Sequence, residues 1–250
     1  MLRRSLPACL GLLGILLLPQ AQASISLSAT RIIFDGAHPE ANITVRNGNQ
    51  NVLIQSWIDA ETPSETTLPF AVTPPLTRIF AKQQQLLRIL YEGQGMPADK
   101  ESVVWLNVQE IPQAAAQANT LQLAVRQRIK VFFRPAGLTG DPLQAPAQLQ
   151  WQLSREDGKA LLNVSNPSRY HVSMADVMLK SSTKTETLTE GVMIAPGQAK
   201  SFPLPVLASD KAPTLSFISI NDYGAQTRYS AVISSDQAHT AKVAEGSSAP

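Results

Sequence analysis

One run of the chain restricts its possible folds more than any other: Leu121-Gln-Leu-Ala-Val-Arg-Gln-Arg-Ile-Lys130-Val-Phe-Phe-Arg134-Pro135. The odd positions Leu121, Leu123, Val125, Ile129, Val131 and Phe133 form an apolar row broken only at Gln127. The even positions carry Arg126, Arg128, Lys130 and Arg134 beside Gln122, Ala124 and Phe132. Side chains of a strand alternate between its faces, so this period-two pattern predicts one strand with an apolar face and a cationic face. Its length is more than twice the usual strand of about 5–6 residues. A strand that outruns its own core has apolar side chains left over for another chain.

The rest of the sequence repeats the alternation in shorter pieces. Runs bounded by Pro, Gly, Asn and Asp recur at 25–34, 41–46, 52–58, 86–91 and 103–108, then at 148–153, 160–164, 172–179, 215–220 and 229–233. No stretch carries the 3.6-residue periodicity of an amphipathic helix. The expected fold class is therefore all-β, with sandwiches of the immunoglobulin type. The segment Arg134-Pro-Ala-Gly-Leu-Thr-Gly-Asp-Pro142 cannot continue a strand, because proline lacks a ladder donor and glycine breaks regularity. It divides the chain into a first domain at 24–138, which includes the long strand, and a second at 139–235. Residues 236–250 are small and polar, and a disordered tail is expected there.

Residues 1–23 read as a secretory signal peptide. Arg3 and Arg4 precede the apolar Leu10–Leu18, and Ala21-Gln-Ala23 offers a small-residue cleavage site before Ser24. The apolar stretch is shorter than the ~20 residues of a spanning helix, so no membrane insertion of the mature chain is expected. Cleavage would remove Cys9, the single cysteine, and with it any internal disulfide. It would also remove Arg3 and Arg4, leaving 19 Lys and Arg against 19 Asp and Glu. A net charge near zero disfavours nucleic-acid binding by a general positive field. Cations then matter only where they cluster.

Catalytic readings find little support. The histidines are His38, His171 and His239, without metal-ligand spacing, and no Gly-x-Ser-x-Gly elbow or phosphate-cradling glycine loop is present. A lone strand histidine such as His171 is expected to be a surface residue, and His239 falls in the predicted tail. The chain is not expected to be an enzyme or to need a metal or cofactor. A binding surface remains, with Arg31, Lys130 and Arg134 as the cations set among apolar strands.

These residues resemble the periplasmic pilus-assembly chaperones of the chaperone–usher pathway, the PapD-like family, over essentially the whole mature chain. The likeness lies in Ser28-Ala-Thr-Arg31-Ile-Ile-Phe34-Asp-Gly36, Val72-Thr-Pro-Pro75-Leu-Thr-Arg78 and Asp99-Lys-Glu101-Ser-Val-Val-Trp-Leu-Asn107. It continues in Arg128–Pro135, Asn163-Val-Ser-Asn166-Pro167-Ser-Arg-Tyr170 and Ile220-Asn-Asp222-Tyr-Gly224. The resemblance implies two immunoglobulin-like domains set like a boomerang around a cleft. Arg31 and Lys130 would hold the C-terminal carboxylate of a pilus subunit there. Leu121, Leu123 and Val125 would enter the subunit's open groove as a donated strand. Glu101, Arg134 and Asp222 would form a charged network between the domains. The implied partners are pilus subunits and an outer-membrane usher, with self-association through the exposed strand in the unliganded state. The implied compartment is the periplasm. Only residues 113–120 separate Pro112 from Leu121, which resembles the short-loop branch of the family. The rival readings are a pilus or adhesin subunit and a secreted hydrolase on a β-sandwich. A donor segment in mid-chain argues against the first, and the missing catalytic constellations argue against the second.

Overall fold

The alternating run at 25–34 is two strands in two different sheets. In a computed structural model, which describes residues 24–61, 68–111, 123–181, 184–204, 212–234 and 237–244, β1 (Ile25–Leu27) runs antiparallel to β3 (Glu40–Asn47). β2 (Arg31–Asp35) crosses to the opposite sheet and pairs in parallel with β9 (Arg126–Arg134). Between them come β4 (Val52–Asp59), β5 (Phe70–Thr73), β6 (Leu76–Ile79), β7 (Gln84–Tyr91) and β8 (Ser102–Ile111). One sheet has the order β1-β3-β7-β5 and the other β2-β9-β8-β4-β6. Ile43, Val45, Leu87 and Ile89 of the first sheet meet Phe34, Ile54, Leu106 and Val131 of the second in one buried core. Phe34, Phe70, Tyr91 and Phe133 fill one region of that core, ring centroids 4.6–6.2 Å apart.

The second sandwich begins with a short helix α1 (Ala145–Gln148), whose Ala145 and Pro146 are buried. Its strands are β10 (Gln150–Glu156), β11 (Lys159–Ser165), β12 (Val172–Lys180), β13 (Thr185–Ile194), β14 (Ala199–Leu204), β15 (Thr214–Ile220), β16 (Gln226–Val232) and β17 (Lys242–Val243). They form sheets β10-β11-β14 and β13-β12-β15-β16-β17 around Trp151, Leu162, Val164, Val177, Leu215 and Phe217. The alternation of the sequence does not announce β13 and β14. β13 is an edge strand with much of its length exposed. β14 contains Pro203 and lies at the other sheet's edge, where a missing N–H costs no ladder bond.

Three sequence expectations are corrected. The long strand starts at Arg126, so Leu123 to Val125 precede it, and Leu121 lies outside the described residues. The Val125 carbonyl accepts one bond from the Glu110 N–H, 3.0 Å, after which β8 ends at Ile111 and Pro112 follows. Leu123 is 75 % exposed and Val125 39 %, so no core of this chain holds them to a sheet. Phe132, on the cationic row, is buried and lies edge-on to His171, centroids 5.9 Å apart. Residues 237–244, placed by sequence in a disordered tail, fold onto the second sandwich. Backbone bonds run both ways between His239 and Trp151, at 2.7 and 2.8 Å, and Ala241 is buried in the core.

Candidate functional site

β9 builds the site because its two sides are paired over different lengths. Against β8 it is matched throughout, from Arg126 opposite Gln109 to Phe133 opposite Ser102. Against β2 it is matched only from Lys130, opposite Arg31, to Arg134, opposite Asp35. The β2-facing edge of residues 126–129 therefore has no strand beside it among the described residues. Gln127 makes one side-chain contact there, its amide donating to the Ile25 carbonyl at 2.9 Å.

Arg31 and Lys130 stand where the paired and unpaired halves of β9 meet. Register neighbours on one sheet project to the same face, so the two cations lie side by side. Arg31 Nη1 donates to the Ile220 carbonyl of the second domain at 3.2 Å, while its buried Nε–H has no partner. Lys130 Nζ sits 5.5 Å from the ring centre of Trp105, and Arg128 covers the same ring at 4.3 Å. Such contacts are worth about 0.5–1 kcal/mol when exposed, enough to bias the side chains toward one direction. Arg128 is also neutralised by Asp59 at 2.8 Å. Among the described residues neither Arg31 nor Lys130 forms an ion pair.

Burial pushes the Arg31 guanidinium below its ordinary value, with Asp222 pulling the other way. Burial, and next the charge of Arg31, likewise hold the Lys130 ammonium low, against a small pull from Glu61. Two half-desolvated cations repel, and an anion bridging them removes that cost. A carboxylate, with two oxygens for two donors, has the matching geometry.

Behind the pair, charges fasten the two sandwiches. Arg134 Nε donates to Glu101 Oε2 at 2.7 Å, and its Nη atoms form a bidentate pair with Asp222 at 2.7 and 2.8 Å. Burial alone would lower the Arg134 guanidinium, but bonding to Asp222 and the charge of Glu101 overcome this and raise it. A close approach places Arg134: the Gly36 N–H donates to its carbonyl at 2.7 Å, and a Cβ on Gly36 would come within 2.7 Å of that oxygen. The Glu101 side chain is 1 % exposed and also accepts from the His171 N–H and Nδ1, each at 2.8 Å. The His171 side chain is thus packed into the domain joint, 7 % exposed, and is not the surface histidine that its isolation in the sequence suggests. Trp105 and Phe132 are further site neighbours that strand periodicity did not single out. Phe132 stands on the cationic row of β9, and Trp105 lies opposite Lys130 on the neighbouring strand, so only tertiary packing marks them.

Leu123 and Val125, the exposed aliphatics, lie just before the unpaired half of β9. Among the described residues no group of His, Cys, Asp and Glu is gathered as metal ligands, and no helix is long and apolar enough to cross a membrane.

Two immunoglobulin-like sandwiches fastened by charge, with an unpaired strand edge and a bare cation pair beside the joint, define a two-domain protein built to bind another polypeptide. Both halves of the chain match known protein domains. Residues 24–139 match the N-terminal domain of the PapD pili and flagellar-assembly chaperones, and 144–231 match the C-terminal domain of the PapD pili-assembly chaperones. A probable fimbrial chaperone, YadV of Escherichia coli K12, is 38 % identical over 81 % of this chain and 87 % of its own. The chaperone FimB/FhaD of Bordetella pertussis is 36 % identical over 87 % of this chain and 91 % of its own. The crystal structure of YadV superimposes with a TM-score of 0.72 over 84 % of this chain and 99 % of that one. The Salmonella enterica chaperone SafB, solved in complex with SafA pilin, has a TM-score of 0.69 at 28 % identity, covering 86 % of this chain and 98 % of that one. The chain belongs to the PapD family of pilus-assembly chaperones, a family of folding helpers and not of enzymes.

Proposed function

We propose that this chain is a periplasmic chaperone that completes pilus subunits by lending them a strand and then delivers them to an outer-membrane usher. The observation that carries the reading is the change of pairing at Lys130. Before it, β9 has an open edge and exposed aliphatics. At it, two unpaired cations wait at the first residue of β2. A subunit whose terminal carboxylate is held by Arg31 and Lys130 would end where β2 begins and occupy the open edge upstream. Its strand would then run parallel to β9, in line with β2.

A subunit lacking one strand exposes apolar core and unpaired backbone, and strand donation supplies both missing parts; chaperone–pilin complementation is a standard example of this recognition mode. Leu121, Leu123 and Val125 are the side chains that would enter the groove. Each buried aliphatic contributes about 1.5–3 kcal/mol gross, offset by association and ordering costs. The carboxylate anchor sets register, because a slip of one residue would turn every aliphatic away from the groove. Glu101, Arg134 and Asp222 would keep the cleft and the donated strand aimed together. The signal-like segment 1–23 and the fimbrial chaperones among its relatives support a periplasmic site of action.

The test is co-purification of the cognate subunit from periplasm with Arg31→Ala and Lys130→Ala. Both should lose the subunit while keeping the wild-type circular dichroism spectrum. Capture at wild-type yield by either variant would remove the anchor from the mechanism.

A further inference from the structure

Besides the bond from Arg31 to the Ile220 carbonyl, the charged side chains that cross between the sandwiches make two sets of contacts. Arg134 of the first domain grips Asp222 of the second through two bonds. Glu101 of the first domain accepts two bonds from His171 of the second, and its own N–H donates to the Arg169 carbonyl at 2.9 Å. Glu101 and Arg134 are themselves joined. The charged part of the joint is therefore a chain of four side chains, Asp222–Arg134–Glu101–His171, anchored in the second domain at both ends.

A single side-chain grip leaves the domains free to pivot about it, and a second grip elsewhere removes that freedom. We propose that His171 is a positioning residue of the chaperone, orienting the Glu101 carboxylate and thereby fixing the angle between the domains. The inference rests on the chaperone reading above and adds a residue to it. A carboxylate can only accept, so Nδ1 carries the proton of this bond. The imidazole is 7 % exposed and lies edge-on to Phe132 at 5.9 Å, so its ring is held from the first domain as well. His171 and Asp222 also line the same small cavity of about 40 Å³, which puts both second-domain anchors on one surface.

The roles separate with two variants of the mature protein. His171→Phe keeps the ring and removes the donor, whereas His171→Asn places an amide N–H near the position of Nδ1. With the bond gone, the bound orientation has to be restored on capture, so His171→Phe should weaken subunit capture by up to about tenfold, equivalent to a bond of about 1.4 kcal/mol. In the free protein, residual dipolar couplings of the two domains should no longer fit the single orientation seen in wild type. His171→Asn should restore both readouts.

Unchanged couplings and capture in His171→Phe would overturn the proposal. So would failure of His171→Asn to rescue, because a donor near the position of Nδ1 would then not be what holds the orientation. If His171→Phe does not fold, His171→Leu replaces it, and unfolding of both would make His171 a core residue of its own domain and end the positioning role. The couplings are measured without any subunit, so they stand even if Lys130→Ala shows the anchor mechanism to be wrong.

Discussion

Arg31 and Lys130 are register partners on the parallel strands β2 and β9, and among the described residues neither is ion-paired. A sheet places such neighbours within about 5 Å of each other across the backbone. Like charges at that spacing are destabilising. The free protein therefore carries an electrostatic cost that a bound carboxylate would relieve.

That cost has a measurable sign. Lys130→Met should raise the melting temperature of the free protein, by roughly 1–2 °C, while abolishing subunit capture. Because the folded state holds Lys130 below its ordinary value, the folded chain releases this proton before the unfolded chain does. Between the two values the unfolded state binds more protons, so stability rises with pH. The advantage of Lys130→Met should thus be full at neutral pH and shrink as pH climbs to the ordinary lysine range. Thermal melts across that range check it, and a constant difference would contradict the assignment.

Leu123 is exposed, so Leu123→Glu should leave the chaperone's urea midpoint within the spread of neutral surface changes, about 0.5 kcal/mol. Capture should fall below detection, because a carboxylate would be driven into an apolar groove. A large loss of stability in Leu123→Glu would instead assign Leu123 to the chaperone's own core.

Arg134→Ala would strand Glu101, whose side chain is 1 % exposed. Breaking a buried pair costs about 3–5 kcal/mol, and the lower end is expected here because His171 still donates to Glu101. Asp222→Asn should cost less, since that side chain is 25 % exposed and an amide oxygen still accepts. Urea denaturation ranks the two, and equal small losses would show that the network adds nothing to stability.

Ala241 is 2 % exposed in the second core, next to the bonds that tie His239 to Trp151. Ala241→Asp would bury an unpaired charge and should lower the melting temperature by several degrees. Truncation before residue 237 should do the same by uncovering the edges of β10 and β16. A truncated chain as stable as wild type would mean that these residues rest on the sandwich without supporting it.

Much of this molecule was legible in its sequence because strand pairing writes itself in alternation. Val104, Leu106 and Val108 of β8, and Val131 and Phe133 of β9, are buried in turn along their strands. Where a strand lies at an edge the pattern weakens, and β13, β14 and β17 escaped notice for that reason. The tail escaped too, because a single buried alanine in a polar stretch carries almost no hydrophobic signal.

By itself the sequence determined the all-β class and an alternating run with more apolar side chains than its own strand uses. Only the tertiary structure decided that β2 begins partway along β9, that Arg31 meets Lys130 at that start, and that His171 reaches Glu101 across the joint. Alternation is a property of neighbours along the chain, and it fixes which face each side chain takes. Which strands lie together, and which charge meets which, depends on contacts between residues such as Arg134 and Asp222, |i−j| = 88. No local pattern encodes a contact of that separation.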